Sequence, residues 1–116
     1  MIRETPLKVV FYITSNGNEP VRDWLKELPR SSKKLIGEDI KTVQFGWPMG
    51  MPVVKKIENG IWEIRTKLDH GIARVLFTTF SNDIVLLHGF IKKTQKLPQD
   101  ELNLARQRLR DFKEDM

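Results

Sequence analysis

The chain has 116 residues, 40% of them hydrophobic and 30% charged, and its formal net charge is +5. This length suffices for one domain with one core, which we expect to span residues 1–116. No apolar run could cross a bilayer, Met1–Pro6 lacks the apolar core of a signal peptide, and there is no cysteine for a disulfide or a metal. We therefore expect a cytoplasmic protein with no membrane partner.

The N-terminal part of the chain predicts one strand and two helices. Residues 8–14 alternate and are rich in β-branched and aromatic side chains, as in a strand, and a turn follows. Asn18 is a candidate N-cap for a helix that ends at Pro29. Ser31 or Ser32 then caps a second helix with its own apolar stripe, so that the two helices form a hairpin.

The segment Phe45–Pro52 predicts an irregular loop, because it contains two prolines and two glycines. Its apolar residues suit either a loop packed on the core or a binding patch. We expect the packed loop, held down by Trp47 and Met51.

After this loop the apolar residues recur with period two, which predicts strands. Val53–Glu58 and Ile61–Leu68 flank Asn59-Gly60, and Asn-Gly between alternating runs indicates a tight hairpin in which both turn residues take positive φ. Two further strands, over residues 72–80 and 84–91, follow turn residues. The four strands are expected to form an antiparallel meander.

The chain closes with a predicted helix over residues 99–113, which carries one apolar stripe. The order of N-terminal strand, helical hairpin, four-stranded meander and C-terminal helix defines an α+β fold. We expect the helices to cover one face of the sheet and to leave the other partly open. Strand alternation would then gather Arg65, Arg74 and His88 on that open face.

The segment Ile84–Pro98 carries the strongest functional signal. An apolar strand, interrupted by His88 and Gly89, leads directly into a lysine-rich loop, which places cations where a polyanion can reach them. Arginines on neighbouring strands suit phosphate groups, since a guanidinium is a fixed, forked donor. The basic residues between positions 55 and 96 are Lys55, Lys56, Arg65, Lys67, Arg74, Lys92, Lys93 and Lys96. Together with the net charge, they favour a nucleic acid as the partner.

Metal and cofactor chemistry has no sequence support. His70 in a turn and His88 in a strand give no ligand spacing, and there is no phosphate-binding loop, dinucleotide-binding glycine pattern or nucleophile elbow. We expect no metal and no small-molecule cofactor. RNA cleavage needs neither, because a 2′-hydroxyl can attack its own 3′-phosphate while the protein assists proton transfer and stabilises the developing charge.

Each candidate residue also has a structural explanation that the sequence leaves open. Arg65 and Arg74 could be ion-paired residues of a solvated sheet face. His88 could be a core histidine with satisfied ring nitrogens, and Gly89 could serve only to permit close packing. The lysines after the last strand could be a solvated approach to the final helix.

The run IVLLHGFIKKTQKLP, followed by a helix rich in Glu and Arg, resembles the phage-derived Gp49-like branch of the RelE/HigB toxin superfamily. The runs VVKKIENGIWEIR and IARVLF resemble that branch too, and the similarity extends from about Val9 onward. It implies a RelE/ParE-like fold and a toxin of a type II toxin–antitoxin system. Such toxins cut mRNA on the ribosome without a metal, and an antitoxin, typically a helix-turn-helix protein, neutralises them.

The resemblance also implies basic site residues on the sheet face and near the end of the last strand. Carried onto this chain, the implied catalytic residues are Arg65 and Arg74 at the scissile phosphate, with His88 or Lys93 handling the proton. The residues expected to contact RNA are Lys55, Lys56, Lys92, Gln95 and Lys96. Many RelE toxins place a tyrosine near the last strand, whereas the single tyrosine here is Tyr12 in the first strand.

The missing tyrosine motivates a second hypothesis, a non-catalytic ParE-like toxin that inhibits gyrase. A third hypothesis is a plain basic nucleic-acid-binding module without toxicity, whose binding would weaken steeply with salt. Mapping of mRNA ends after induced expression separates these hypotheses.

Overall fold

The structure, a computed structural model, describes residues 3–116. Met1 and Ile2, which belong to the segment where no signal peptide was expected, lie outside the described residues. The elements in chain order are β1 (Lys8–Phe11), α1 (Pro20–Lys26), α2 (Arg30–Gly46), β2 (Val54–Glu58), β3 (Ile61–Leu68), β4 (Gly71–Phe80), β5 (Asp83–Lys92) and α3 (Gln99–Glu114). Over these residues, no helix combines the length and the apolar character needed to span a membrane.

The strands form one five-stranded sheet in the order β1-β5-β4-β3-β2. Strands β2 to β5 make the predicted antiparallel meander. The sheet does not end there, because β1 adds a fifth strand that runs parallel to β5. The first strand is also shorter than predicted, since the Thr14 amide already donates to the Asn18 carbonyl oxygen in the following turn, at 2.8 Å.

Helices lie on both faces of the sheet, so the expectation that they cover only one face is wrong. Helices α1 and α2 cover one face over a core that includes Ile64, Val75 and Leu86. Helix α3 covers part of the other face, where Leu76 and Leu87 are buried. The reason lies in β4 and β5, which are apolar on both faces. Burial of the second set of side chains stabilises the fold by about 25 cal/mol per Å² of apolar surface.

The helix starts differ from the predicted caps. The N-cap of α2 is Pro29 and not Ser31 or Ser32, and the N-cap of α1 is Glu19 and not Asn18. The φ of Pro29 is −56°, close to the helical value. Because the proline ring already fixes this angle, little further conformational entropy is lost in φ where the helix begins.

The apolar loop before β2 packs on the core through Trp47, as predicted, but not through Met51. The Trp47 ring lies edge-on to Trp62 at 5.0 Å and to Phe77 at 5.5 Å between centroids. Met51 is 61% exposed, which makes the prediction for that residue wrong, while Met49 packs against the core instead.

The predicted hairpin at Asn59-Gly60 is confirmed, although its backbone differs. Of the two turn residues, Gly60 alone has a positive φ, at 87°. The register shifts between Lys56 and Glu58, which makes Ile57 a bulge. The bulge adjusts the strand to the turn, so Asn59 avoids the left-handed conformation.

Gly89 in β5 permits a close approach by α1, which agrees with the structural explanation of this residue. A Cβ at this position would lie 2.4 Å from two ring carbons of Trp24. The indole therefore occupies the space that any other side chain would need. In this way a residue beside the candidate site fixes α1 on the opposite face of the sheet.

Candidate functional site

The site begins with a row of charged side chains on the part of the second sheet face that α3 leaves uncovered. Strand register places Arg65 directly opposite Arg74, and Lys55 directly opposite Glu63. Because alternate residues of a strand share a face, all four side chains project from the same side of the sheet. We call Glu63, Arg65 and Arg74 the arginine cluster.

Arg74 is a buried member of this cluster and not a surface residue. Its side chain is 1% exposed, and its Nη1 lies 3.6 Å from Glu63 Oε2. Its Nη2 donates a hydrogen bond to the carbonyl oxygen of Thr94 in the loop between β5 and α3. Arg74 thus lies under this loop, where it holds both the loop and Glu63.

Arg65 is the member of the cluster that reaches the surface. Its side chain is 14% exposed, and its Nε lies 3.4 Å from Glu63 Oε1. Its Nη2 donates to the side-chain oxygen of Gln95 at 2.6 Å. Arg65 and Gln95 line a cleft of about 340 Å³, together with Lys67, Ile72 and apolar residues of the loop before β2.

Glu63 is the site residue that the sequence analysis did not identify. Its side chain is 1% exposed. Burial raises the pKa of this carboxyl group, and the positive charges of Arg74, Arg65 and Lys55 oppose that rise. The available signal was its position in the strand, since Glu63 shares a face with both arginines.

The arginine cluster has unused hydrogen-bonding capacity. Glu63 Oε2, Arg65 Nε and Arg74 Nε are buried and have no hydrogen-bond partner among the described residues. Buried polar atoms are rarely left unpaired in folded proteins. Two arginines against one carboxylate also leave the cluster with excess positive charge, which suits an anionic ligand.

The predicted lysines divide between the two faces and the loop. Lys92 at the end of β5 pairs with Ile72 and lies on the face of the arginine cluster, as does Lys55. Lys56 pairs with Trp62 and therefore points to the opposite face. Lys93 and Lys96 are exposed in the loop after β5.

His88 lies on the face of the arginine cluster, but side chains of α3 contact both nitrogens of its ring. Its Nε2 is 2.8 Å from Glu101 Oε1, and its Nδ1 is 3.3 Å from Arg108 Nη1. The ring stacks on Phe90, which pairs with Arg74 and so stands between the histidine and the cluster. Both ring nitrogens are engaged, which fits the structural explanation that the sequence left open.

The geometry thus unites some of the predicted residues and separates others. Arg65, Arg74 and Gln95 come together around Glu63, with Lys55 and Lys92 on the same face. His88 belongs to the contact with α3. Within residues 3–116, no group of three or more histidine, aspartate or glutamate side chains could hold a metal ion. The site can bind an anion and orient it against fixed positive charge.

The α+β order of elements and the antiparallel meander are those that the resemblance to RelE-like toxins implied. The chain belongs to the family described as phage-derived protein Gp49-like (DUF891), which matches residues 23–110. This family is a branch of the RelE/HigB-like toxins, so the resemblance seen in the sequence is confirmed. The family points to the toxin of a toxin–antitoxin pair, with an antitoxin as partner. A search of curated proteins found no match.

Proposed function

We propose that the chain is a ribosome-dependent, metal-independent mRNA endoribonuclease that inhibits translation. The observation that carries this proposal is the arginine cluster, which holds excess positive charge at the edge of a cleft and beside a lysine-rich loop. Preorganised cations of this kind stabilise the charge that develops on a phosphorane. Membership of a toxin family supports the same conclusion.

Arg65 contacts the scissile phosphate in this proposal, because its guanidinium is the one in the cluster that lines the cleft. Arg74 is a positioning residue that holds Glu63 and the loop carbonyl behind it. Lys55, Lys92, Gln95 and Lys96 contact the RNA backbone, whereas Lys56 lies on the opposite face of the sheet and does not share this contact. Since the cleft and the loop adjoin, a strand of RNA can meet both at once.

The reaction follows from these positions. The 2′-oxygen forms a bond to phosphorus, the bond from phosphorus to the 5′-oxygen breaks, and a 2′,3′-cyclic phosphate results. The 2′-hydroxyl proton passes to solvent. Lys93 donates a proton to the leaving 5′-oxygen, since the ring nitrogens of His88 are engaged by α3.

The test is induced expression of the full chain, followed by mapping of mRNA 5′ ends. We expect growth arrest with cuts inside translated messages. Arg65→Ala should reduce cutting by about 100-fold, the usual loss when one group that stabilises transition-state charge is removed. Arg110→Ala, at an exposed position on α3, is the control and should cut normally. Full toxicity in folded Arg65→Ala would contradict the site assignment.

A non-catalytic ParE-like gyrase inhibitor is the second candidate. The observation in its favour is Tyr12, whose hydroxyl donates to Asp111 Oδ2 at 3.1 Å and therefore belongs to the contact between the first strand and α3. Growth arrest with DNA damage and intact messages would establish this function instead. Binding of RNA without any growth arrest would leave the plain nucleic-acid-binding module.

A further inference from the structure

A second groove lies between the segment that follows β1 and the C-terminal half of α3. Its volume is about 460 Å³, and it shares no residue with the arginine cluster or with the cleft beside it. Tyr12 and Ile13 form part of one wall, and Arg108, Asp111, Glu114 and Asp115 form part of the other. We call it the acidic groove.

The acidic groove is negative on a chain whose net charge is +5. It has three carboxylates and one cation, Arg108. That cation is already used inside the protein, since its Nη1 donates to the Leu87 carbonyl oxygen at 2.8 Å and its guanidinium lies 5.7 Å from the centre of the Tyr12 ring. An RNA backbone would be repelled here, and a cationic segment would be attracted.

Two of the carboxylates have no structural role in the fold. Asp111 accepts a hydrogen bond from Tyr12, but Glu114 and Asp115 are exposed and make no ion pair within residues 3–116. Both lie at the C-terminus of α3, where the helix dipole disfavours negative charge. Their position costs stability, and a cationic partner would offset that cost.

The wall opposite α3 offers an apolar contact and a strand edge. Ile13 is 54% exposed. Among the described residues, strand β1 has a neighbouring strand on one side only. The amides of Lys8 and Tyr12 donate to the carbonyl oxygens of Asn82 and Leu86 on that side, so the alternate amides of β1 point outward. Such an edge can pair with an extended segment of another chain.

We propose that the acidic groove docks an extended, cationic segment of the antitoxin. The segment runs along the outer edge of β1, places an apolar side chain on Ile13 and presents lysine or arginine side chains to Glu114 and Asp115. The proposal rests on the toxin family to which the chain belongs and is independent of the ribonuclease activity. At this contact the partner does not cover the arginine cluster or the lysine-rich loop after β5.

The probe is an eight-residue peptide of alternating lysine and valine, titrated into the full chain and followed by NMR. We expect shifts in residues 9–15 and 104–115. Charge reversal with Glu114→Lys and Asp115→Lys should weaken binding at least tenfold, and Ile13→Arg should do the same. The reversal places cations at a helix C-terminus, which favours the helix, so that weaker binding cannot come from unfolding.

The matched control is the double variant Glu27→Lys and Glu38→Lys, which makes the same charge change at the exposed C-cap of α1 and at an exposed position of α2. It should bind the peptide like the wild type. No binding, equal binding by the two charge-reversed variants, or shifts confined to other residues would overturn the proposal. A chain dimer that Glu114→Lys and Asp115→Lys disrupt would do so too, because it would make a second copy the occupant.

The cognate antitoxin, the partner to which the family points, provides the second arm. In its complex with the toxin, residues 9–15 and 104–115 should be protected from amide hydrogen exchange. Protection confined to the arginine cluster and the lysine-rich loop after β5 would overturn the proposal. The outcome is separate from the ribonuclease test, since messages left intact by the wild type would reject cleavage while peptide binding still supports the acidic groove.

Discussion

Glu63 shows how burial decides the behaviour of a charged residue. Its carboxylate lies near two guanidinium groups, yet burial still raises its pKa. Glu58 is also paired with an arginine, since Arg106 donates to both of its oxygens, but this pair lies at the surface. The hydrogen bonds with Arg106 lower the pKa of Glu58. The two glutamates therefore respond to pH in opposite directions.

The sign of each response follows from linkage. The pKa of Glu63 in the folded state lies above its ordinary value of 4.5. The contribution of Glu63 to folding stability is therefore complete below pH 4.5, and it is lost as the pH rises through the pKa of this group in the folded state. Wild-type stability should fall relative to Glu63→Gln over this window, as measured by urea unfolding at several pH values.

Glu58→Gln is the matched control for this experiment. The folded-state pKa of Glu58 lies below its ordinary value of 4.5, so its contribution is present above that value and is lost as pH falls through the folded pKa. The stability of the wild type relative to this variant should therefore rise with pH. Parallel curves for the two variants would contradict the assigned burial of Glu63.

Gly89 makes a prediction about packing. Gly89→Ala should destabilise the fold by about 1–3 kcal/mol, because the new methyl group overlaps the Trp24 ring and α1 must shift. Gly37→Ala is the control, since Gly37 lies exposed within α2 with open space at its Cβ position. It should stabilise by about 0.5–1 kcal/mol. Urea unfolding of both variants checks the pair, and equal effects would argue against the contact with Trp24.

At the scale of elements, α3 is tied to a bulge in β5. The register of β4 against β5 shifts between Leu76 and Phe77, which leaves Leu87 as an extra residue. The Leu87 carbonyl oxygen accepts a hydrogen bond from Arg108. Burial lowers the pKa of Arg108, which shows that this guanidinium is partly removed from water. The bulge, His88 and α3 therefore act as one contact.

Removal of this contact should cost more than removal of an exposed arginine from the same helix. Arg108→Ala should destabilise the fold by about 1–3 kcal/mol, the usual result when a buried carbonyl oxygen loses its donor. Arg110→Ala should change stability little, because its side chain is exposed. Urea unfolding checks the difference. Equal losses would mean that the Leu87 carbonyl oxygen finds another partner.

The sequence predicted the elements well because their signals are local. Period-two alternation, Asn-Gly in a turn and the apolar stripe of α3 each depend on neighbouring residues, and the structure confirms them. The position of β1 beside β5 and the side of the sheet that α3 covers depend on contacts far apart in the chain. Periodicity alone does not determine such contacts.

The site was predicted in part for the same reason. Strand alternation places Arg65 and Arg74 on one face, as the sequence indicated. It gives no information about which of them is buried. That outcome depends on Thr94 and Gln95, which close over the two arginines from a loop. The hydrogen bonding of the His88 ring likewise depends on α3, which folds back from the end of the chain.

At the scale of the whole molecule, charge differs from one surface to another. The arginine cluster and the exposed lysines after β5 make one surface positive, while the acidic groove is negative. This separation lets the protein approach a polyanion with one surface and a cationic segment with another. The net charge of +5 alone would not reveal it.

Salt dependence tests the positive surface. We expect the triple variant Lys92→Gln, Lys93→Gln and Lys96→Gln to lower the slope of log affinity against log salt by about 2 for a short single-stranded RNA, since each phosphate contact contributes about 0.7. The control makes the same charge change on α2, with Lys33→Gln, Lys34→Gln and Lys41→Gln. Filter binding across a salt series measures both, and equal slopes in the two variants would place RNA elsewhere.

The aromatic residues are distributed unevenly between the two cores, with a practical consequence. Trp24, Trp47 and Trp62, which are all of the tryptophans, pack against the core under α1 and α2, whereas Tyr12 belongs to the core under α3. Indole fluorescence therefore reports on one side of the sheet only. If α3 detached by itself, the emission spectrum would stay the same. A fluorotyrosine label at position 12 would report on the core under α3. Coincidence of the melting curves from tryptophan emission and from this label would show that the protein unfolds as one unit.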